Sequence, residues 1–339
     1  MESDTGPSEA LRRLNVFNRH FAPLIQQQVS SDSSSPSLQA GLSNEIQYVV
    51  KNSILTVEQE RSYQENGFLV IPNLVPHHKI DAYREEFELI CEGKNRQRSA
   101  GMTIMKDVAL KTLSGERAIN KLQDFQDNEV LFSYCSSPEL LQYVECFTGP
   151  DAMAMHTMLI NKPPDPGSKT SRHPMHQDLH YFPFRPAKSI VCSWTAMEKV
   201  HRQNGCLVVI PGSHKGQLMR HDYPKWEGGV NKMYHGIMDF DASAPRVHLE
   251  MEKGDTVFFH PLLLHGSGTN KTSGFRKAIS CHYASSNCHY IDVAGTTQAN
   301  MANEITDVAK RKLGEDVEVN IKDIWYMKGR LVKGERITL

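Results

Sequence analysis

A long series of short apolar runs, separated by turn residues, constrains what this chain can fold into more than any other feature of its sequence. The runs fill the second half of the chain, and clusters such as Pro163-Pro164 and Gly254-Asp255 divide them. Few helical patterns lie between them, which favours antiparallel strands over alternating strands and helices. The predicted strands are MAMHTMLINK, SIVCSWTAM, CLVVI, HLEM, TVFFH and RKAISCHYAS.

Helical patterns are predicted ahead of these strands. Thr56 and Gln59 have the spacing of a capping box, and Gly67 is placed to end the helix that they begin, before the strand-like FLVIPNLV. A second helix is predicted from about residue 76 to residue 91, and a third in SPELLQYVECF, where Ser137 can serve as the N-cap. The sequence therefore predicts a mainly β barrel or sandwich with flanking helices.

The composition argues against several classes of protein. Lys and Arg total 38 against 39 for Asp and Glu, so the chain lacks the net basic charge of a nucleic-acid-binding protein. Its seven cysteines include no CxxC pair, which favours a reducing compartment over a disulfide framework. Its apolar stretches are far shorter than the roughly 18 residues of a membrane span. A soluble protein with no nucleic-acid partner is predicted.

Histidine and aspartate occur at a metal-ligand spacing in the segment HPMHQDLHYFPFRP. Residues i and i+2 of a strand point to the same face, so His176 and Asp178 would direct an imidazole and a carboxylate into one space. His265, in FFHPLLLHGSG, lies near the end of a distant predicted strand and can supply a third ligand. Two histidines and one carboxylate leave open positions on the metal, which is the arrangement of non-haem Fe(II) oxygenases.

Arg276 makes the pattern more specific. It follows His265 in a second predicted strand, which we expect to lie antiparallel beside the first. A guanidinium binds a carboxylate through two parallel hydrogen bonds. The cosubstrate 2-oxoglutarate needs both features, because its keto-acid end chelates the metal and its distal carboxylate needs a fixed cation.

Several neighbouring residues offer competing interpretations. His260 lies shortly before His265 on the opposite strand face and is its rival as the third ligand. Two pairs match no usual zinc-finger spacing, and packing is preferred for them: Cys281-His282 and Cys288-His289. Three residues are left open between substrate contact and core packing: His180, Tyr181 and Phe182.

Five segments together resemble the phytanoyl-CoA hydroxylase family of Fe(II)- and 2-oxoglutarate-dependent oxygenases. They are TSRHPMHQDLHYFPF, NGCLVVIPGSHKG, HDYPKWEGGVNKM, GDTVFFHPLLLHGSG and FRKAISCHYAS, in the same order and at similar spacing. The likeness runs from about Asn52 to the C-terminus. It implies the double-stranded β-helix, or jelly-roll, core of these oxygenases, within a single oxygenase domain that spans residues 46–339.

The resemblance also implies roles for individual residues. His176, Asp178 and His265 would be the catalytic iron ligands, and Arg276 would hold the distal carboxylate of 2-oxoglutarate. The further cosubstrate contacts that it implies, beside the ligands His176 and Asp178, are Lys121, Met158, Gln177, Trp194 and Ser267. Ascorbate is implied as a reductant.

The activity that the resemblance implies is hydroxylation at the 2-position of a branched-chain acyl-CoA such as phytanoyl-CoA, in fatty acid α-oxidation. O2 and 2-oxoglutarate would be consumed, and succinate and CO2 released. Asp178 favours hydroxylation over halogenation, because related halogenases carry a small residue at this ligand position. Two alternatives stay open: the same chemistry on a small molecule without CoA, and a non-catalytic jelly roll that binds acyl-CoA or a protein.

Residues 1–45 differ from the rest of the chain. The run SSDSSSPS is too polar to form a core and predicts a flexible linker. Ahead of it, the pairs Arg13-Leu14 and His20-Phe21 have the spacing of an amino-terminal peroxisomal targeting signal. This segment is therefore predicted to be a targeting presequence that binds the peroxisomal import receptor, which implies a peroxisomal location.

Overall fold

Antiparallel strands form most of the fold in the computed structural model, which describes residues 47–50, 54–94, 101–110, 112–314 and 320–339, without the side chains of 312 and 313. Residues 48–339 form one compact unit. The predictions for residues 1–45 lie outside the described part of the chain. Within that described part, no helix is both long and apolar enough to cross a membrane.

Helices lie in the N-terminal and C-terminal parts of the chain, before and after most of the strands. The predicted capping box of Thr56 and Gln59 is confirmed, and Gly67 ends that helix in the left-handed conformation with φ 80°. Ser137 stands at the predicted N-cap, but its side chain makes no capping hydrogen bond. The helices are α1 (Val57–Asn66), α2 (His77–Cys91), α3 (Glu129–Cys135), α4 (Pro138–Thr148), α5 (Ala299–Leu313) and α6 (Ile321–Lys328).

The larger sheet has eight strands, and all of its pairings are antiparallel. All 10 residues of the long central strand of this sheet are buried, although several of them are polar or charged. In spatial order the strands are β1 (Phe68–Ile71), β12 (Thr256–Phe259), β7 (Ile190–Ala196), β14 (Arg276–Ser285), β4 (Ala152–Lys162), β3 (Ile119–Gln123) and β2 (Thr103–Lys106), and β16 (Arg330–Lys333) also pairs with β4.

The smaller sheet has four strands, and two short two-stranded sheets accompany it. In order it contains β11 (Val247–Leu249), β8 (Leu207–Val209), β13 (His265–Ser267) and β5 (His173–His176). The short pairs are β9 (His221–Asp222) with β10 (Gly236–Ile237), and β6 (Phe184–Arg185) with β15 (His289–Tyr290). The mainly β fold with flanking helices is confirmed, and the six predicted strands correspond to β4, β7, β8, β11, β12 and β14.

Apolar side chains on the outer face of the larger sheet pack against the N-terminal helices. Phe258, Ile279 and Tyr283 belong to this core together with Phe87 of α2 and Leu140 of α4. The inner face of the same strands is thereby left for other contacts, because side chains alternate between the two faces. The core therefore anchors the sheet from outside, and the inner face is available for a site.

The predicted pairing of the strands that carry His265 and Arg276 is wrong. Strand β13, with His265, pairs with β5 and β8 in the smaller sheet, whereas β14, with Arg276, lies between β7 and β4 in the larger one. The chain crosses from one sheet to the other between them instead of forming a hairpin. Both residues nevertheless line the same cavity between the sheets.

Candidate active site

The three predicted metal ligands meet at one place in the interior. His176 ends β5 and is the register partner of His265, which begins β13. Their Nε2 atoms lie 3.3 Å and 3.6 Å from Oδ1 of Asp178, and ligand atoms of all three residues fall within 4.8 Å of one another. Such a buried set of two imidazoles and one carboxylate has the composition that holds non-haem iron on one face.

Asp178 reaches this position by a different route from the one predicted. It begins a 3₁₀ turn, Asp178–Tyr181, instead of continuing strand β5. Gln177 between the two ligands keeps an extended backbone, with φ −121° and ψ 127°. The i and i+2 side chains therefore still point the same way, although the strand has already ended.

Backbone carbonyls fix the orientation of both histidine rings. Nδ1 of His176 lies 2.9 Å from the carbonyl oxygen of Pro174, and Nδ1 of His265 lies 3.0 Å from that of Leu263. Since a carbonyl accepts only, each Nδ1 carries the proton and each Nε2 presents its lone pair to the shared space. Burial also lowers the pKa of His265 to about 4, which keeps this ring neutral as a metal ligand must be.

The two oxygens of Asp178 have different neighbours. Oδ1 faces the two histidines, whereas Oδ2 lies 2.8 Å from Nε2 of His282. Burial opposes ionisation, but the nearby His265 and His282 hold the pKa of Asp178 well below its ordinary value. The carboxylate is therefore ionised and accepts only, so His282 donates its Nε2 proton to it.

A small cavity of about 70 Å³ extends from the three ligands to Arg276. The guanidinium is buried, and one nitrogen, Nη2, donates to the carbonyl oxygen of Gly205 at 2.7 Å. Nε and Nη1 have no hydrogen-bond partner among the described residues, and burial lowers the pKa of Arg276 to about 10. A buried cation with two unused donors needs an anionic ligand, and a carboxylate meets that need.

Four of the five further residues implied by the resemblance line this cavity: Lys121, Met158, Trp194 and Ser267. The Lys121 ammonium lies 4.9 Å from the ring centre of Tyr234, and burial lowers its pKa to about 8, although Asp124 and Asp178 oppose that shift. Trp194 lies under the Arg276 guanidinium at 5.6 Å.

Gln177 is the exception, because its side chain points away from the cavity. Its amide nitrogen donates to the carbonyl oxygens of Gln217 and Leu262, and its amide oxygen accepts from the Met219 amide. All of these bonds go to backbone atoms, so the amide is occupied. The Gln177 side chain thus braces the turn that carries Asp178, and its contact with the cosubstrate stays a prediction.

A larger cavity of about 460 Å³ meets the small one at the metal-ligand set. Its size falls within the range of small-molecule sites. The side chains shared by the two cavities include Lys121 and Met158 together with His173, His176 and Asp178. Helices α5 and α6 supply much of its apolar wall, through Ile305, Val308, Ala309, Ile324 and Trp325.

Strands β4 and β14 run past both cavities, and paired residues on their inner faces line first one cavity and then the other. Only the small cavity reaches Arg276, both cavities include Met158, and only the large one reaches His156. The register pairs along this path are Arg276 with Lys162, Ser280 with Met158, and His282 with His156. The same two strands therefore position residues for both compartments.

Lys162, His282 and His156 were missed by the sequence analysis. Alternation along a strand carried the necessary signal, since His282 shares a face with Arg276, and the other two share a face with Met158. Lys162 donates to Ser267 Oγ at 2.7 Å, so it supports that side of the small cavity. For His282 the preferred interpretation, packing alone, is wrong, because its ring contacts Asp178.

The other residues with competing interpretations differ in whether they border a cavity. His260 lies outside both cavities, with its ring edge-on to His214 and Tyr48. Tyr181 and Phe182 line the large cavity. His180 instead stacks on His221 at 4.4 Å and faces away.

Solved structures of known proteins share this architecture. The protein EctD from S. alaskensis, solved with 2-oxoglutarate and 5-hydroxyectoine, has a TM-score of 0.56 at 14% identity, over 73% of this chain and 83% of that one. The epimerase SnoN, solved with Fe3+ and alpha ketoglutarate, has a TM-score of 0.55 at 18% identity, over 72% and 88% of the two chains. These likenesses show the fold, and the buried His176, Asp178 and His265 within it have the composition of a non-haem iron site.

Sequence comparisons give the family. The model of the phytanoyl-CoA dioxygenase (PhyH) family matches residues 63–278. The peroxisomal phytanoyl-CoA dioxygenase of Homo sapiens is 62% identical over 298 residues, which cover 87% of this chain and 88% of that protein. The protein of the same name from Rattus norvegicus is 58% identical, over 96% and 98% of the two chains. The chain belongs to the phytanoyl-CoA dioxygenase family.

Proposed function

We propose that this chain hydroxylates carbon 2 of a branched-chain fatty acyl-CoA such as phytanoyl-CoA. The observation that carries the proposal is the meeting of two unlike cavities at one metal-ligand set. One cavity ends at a buried arginine with unused donors, and the other has an apolar wall large enough for a fatty acyl chain. Relatives named phytanoyl-CoA dioxygenase at 62% and 58% identity support this choice of substrate.

In this proposal, separate groups of side chains bind the metal and the cosubstrate. His176, Asp178 and His265 bind Fe(II) through two Nε2 atoms and one carboxylate oxygen, and the bound iron supplies the activation of O2. Arg276 holds the distal carboxylate of 2-oxoglutarate, with Ser267 and Trp194 shaping the same end. Lys121 places a second positive charge between this end and the iron ligands.

The reaction balances with one molecule each of the acyl-CoA, O2 and 2-oxoglutarate. One oxygen atom enters the new hydroxyl group at C2, and the other enters the carboxylate of succinate. Carbon 1 of 2-oxoglutarate leaves as CO2. The burial of the three ligands favours this coupling, because excluded water cannot intercept the reaction. Ascorbate serves as a reductant that keeps the iron in the Fe(II) state.

Succinate release tests the proposal. The purified chain is incubated with Fe(II), 2-oxoglutarate and a panel of acyl-CoA thioesters, branched and straight, beside the corresponding free acids. The proposal expects acyl-CoA-dependent succinate release, greatest with 3-methyl-branched chains. Equal release with free acids would favour the alternative of a substrate without CoA, and no release with any compound would favour a binding module.

The proposed place of action is the peroxisome. The human and rat relatives carry the word peroxisomal in their names. The proposed signal, Arg13-Leu14 with His20-Phe21, is read by the import receptor. A fusion of residues 1–45 to a fluorescent protein should then co-localise with a peroxisomal marker. Diffuse fluorescence, or import that survives a double R13A and H20A change, would contradict this role of the segment.

A further inference from the structure

We infer that His156 binds the thioester carbonyl of the acyl-CoA and so directs oxidation to carbon 2. This inference rests on the proposed function and adds the residue that sets the reacting position. The thioester carbonyl is bonded directly to C2, so an oxygenase that acts at C2 must hold the carbonyl oxygen close to the iron ligands. A carbonyl oxygen that leaves water on binding needs a hydrogen-bond donor.

His156 stands at the right level of the molecule. It faces inward from β4, one two-residue step beyond Met158, or about 7 Å along the strand. Met158 borders both cavities, whereas His156 borders the large one alone. A group at this level lies on the substrate side of the iron ligands and not on the cosubstrate side.

The surroundings of His156 hold its ring firmly. The ring stacks on His282, with ring centres 5.6 Å apart and planes 20° from parallel. Phe182 and Trp325 meet it edge-on at 6.4 Å and 5.8 Å. Since His282 in turn donates to Asp178, the position of His156 is set relative to the iron ligands.

The ring of His156 has an unused donor. Burial and the neighbouring His282 hold its pKa well below the ordinary value, so the imidazole is neutral and carries one N–H. Among the described residues, neither of its nitrogens makes a hydrogen bond. The side chain is not completely enclosed, because it borders the open space of the large cavity. An uncommitted N–H in an aromatic wall is suited to one carbonyl oxygen.

Other donors near the iron ligands are already engaged. Tyr181 donates its hydroxyl proton to the Met233 carbonyl at 2.9 Å. His173 has its Nδ1 at 3.2 Å from the Pro174 carbonyl, which leaves Nε2 as an acceptor. His282 donates its Nε2 proton to Asp178. Lys121 extends into the small cavity as well, where anionic 2-oxoglutarate competes for it.

Gln123 is the rival anchor, because its amide also borders the large cavity. It is the register partner of Met158 on β3. Gln123 therefore lies beside Met158, where the two cavities meet. His156 and its partner His282 lie two residues further along β4, towards the large cavity. The aromatic setting and the stack on His282 favour His156 over Gln123 for the carbonyl.

Two ligands that differ only at the thioester carbonyl can test whether His156 binds it. Binding of phytanoyl-CoA is compared with binding of its thioether analogue, in which CH2 replaces the carbonyl, by calorimetry on the protein loaded with Fe(II) and 2-oxoglutarate in the absence of O2. The wild-type chain should prefer the thioester on the order of tenfold, the value of one hydrogen bond in a dry site. H156F keeps a flat ring but no donor, so it should bind the two ligands equally. H156Q retains a donor and should recover part of the preference.

Two further measurements complete the test. With O2 present, H156F should form more succinate per molecule of hydroxylated product and should lose selectivity for C2. Unchanged affinity for 2-oxoglutarate in H156F and H156Q shows that the small cavity is intact. The matched variant Q123L should keep the wild-type preference for the thioester.

The inference is overturned if H156F keeps the wild-type preference, if Q123L loses it, or if the wild-type chain shows none. Failure of the proposed function has a different signature, since the wild-type chain would then release no succinate with any acyl-CoA. A chain that hydroxylates C2 with undiminished selectivity in H156F would retain the proposed function and refute only the role of His156.

Discussion

At the scale of single residues, neighbours decide which atoms are left for a ligand. Carbonyl acceptors occupy Nδ1 of His176 and of His265, and His282 occupies one oxygen of Asp178. What remains is two Nε2 lone pairs and one carboxylate oxygen, all directed into the same space. Such supporting bonds commonly fix the geometry of a metal site before the metal arrives.

The first prediction tests whether His265, and not the nearby His260, is the metal ligand. H265A should lower turnover by more than about a hundredfold, because loss even of a partner that supports a ligand costs ~10–100-fold. H260A serves as the control, since His260 is equally buried but lies outside both cavities. Iron content and succinate release are measured for both variants. Loss of iron in H260A with retention in H265A would refute the assignment.

The second prediction concerns Arg276. R276K keeps a positive charge but loses the two parallel donors, so KM for 2-oxoglutarate should rise about tenfold or more. The same substitution should change KM for the acyl-CoA little, because Arg276 does not border the large cavity. Steady-state kinetics with each substrate varied in turn would measure both effects. An unchanged KM for 2-oxoglutarate would contradict this role.

The third prediction follows from the pKa of Lys121, which burial lowers to about 8. Below that pH the side chain is charged and attracts anionic 2-oxoglutarate; above it the free protein loses the charge, and affinity should fall as pH rises. K121R should remain charged throughout this range, since arginine titrates far higher. Dissociation constants for 2-oxoglutarate between pH 7 and about 9.5 should therefore diverge between wild type and K121R. Parallel curves would exclude Lys121 as the cause.

At the scale of elements, local sequence determined the strands and helices but not their pairing. The runs that became β4, β7 and β14 carry clear strand patterns, and Thr56, Gln59 and Gly67 mark the bounds of α1. Which strands are neighbours depends on contacts far apart in the chain, and local patterns do not encode them. For that reason Arg276 was assigned to the wrong neighbouring strand.

The site shows the same division between local and distant information. His176, Asp178, His265 and Arg276 follow from residue type and spacing, and Lys121 was found through resemblance alone. Alternation shows that His282 lies on the same face as Arg276, but only the register of β14 against β4 reveals which residue stands opposite. Alternation could therefore have placed His282 and His156 on inward faces, but it could not show that the two residues stand opposite each other.

The fourth prediction concerns helix α5 as a wall of the large cavity. Ile305, Val308 and Ala309 have the i, i+3, i+4 spacing of one helix face, and all three border that cavity. A309F should fill part of the space, so KM should rise for long branched acyl-CoA and much less for a short-chain acyl-CoA. KM for 2-oxoglutarate is the internal control and should not change. An equal effect on short and long chains would place the acyl chain elsewhere.

At the scale of the whole molecule, the two sheets bring the parts of the site together from opposite sides. The smaller sheet contributes His176 and His265, and the larger one contributes Arg276, Met158 and Trp194. Helices packed on the outer face support the larger sheet, whereas the C-terminal helices close one side of the substrate cavity. The arrangement allows a polar cosubstrate and an apolar substrate to approach the same ligands from different directions.

The proposed reaction couples oxidation of 2-oxoglutarate to hydroxylation of an acyl-CoA at C2. Turnover of phytanoyl-CoA under ¹⁸O-labelled O2, followed by mass spectrometry of both products, tests it most directly. We expect one labelled atom in a hydroxyl group at C2 and one in succinate, with the two products formed in equal amounts. A hydroxyl group derived from water, or one placed at another carbon, would contradict it.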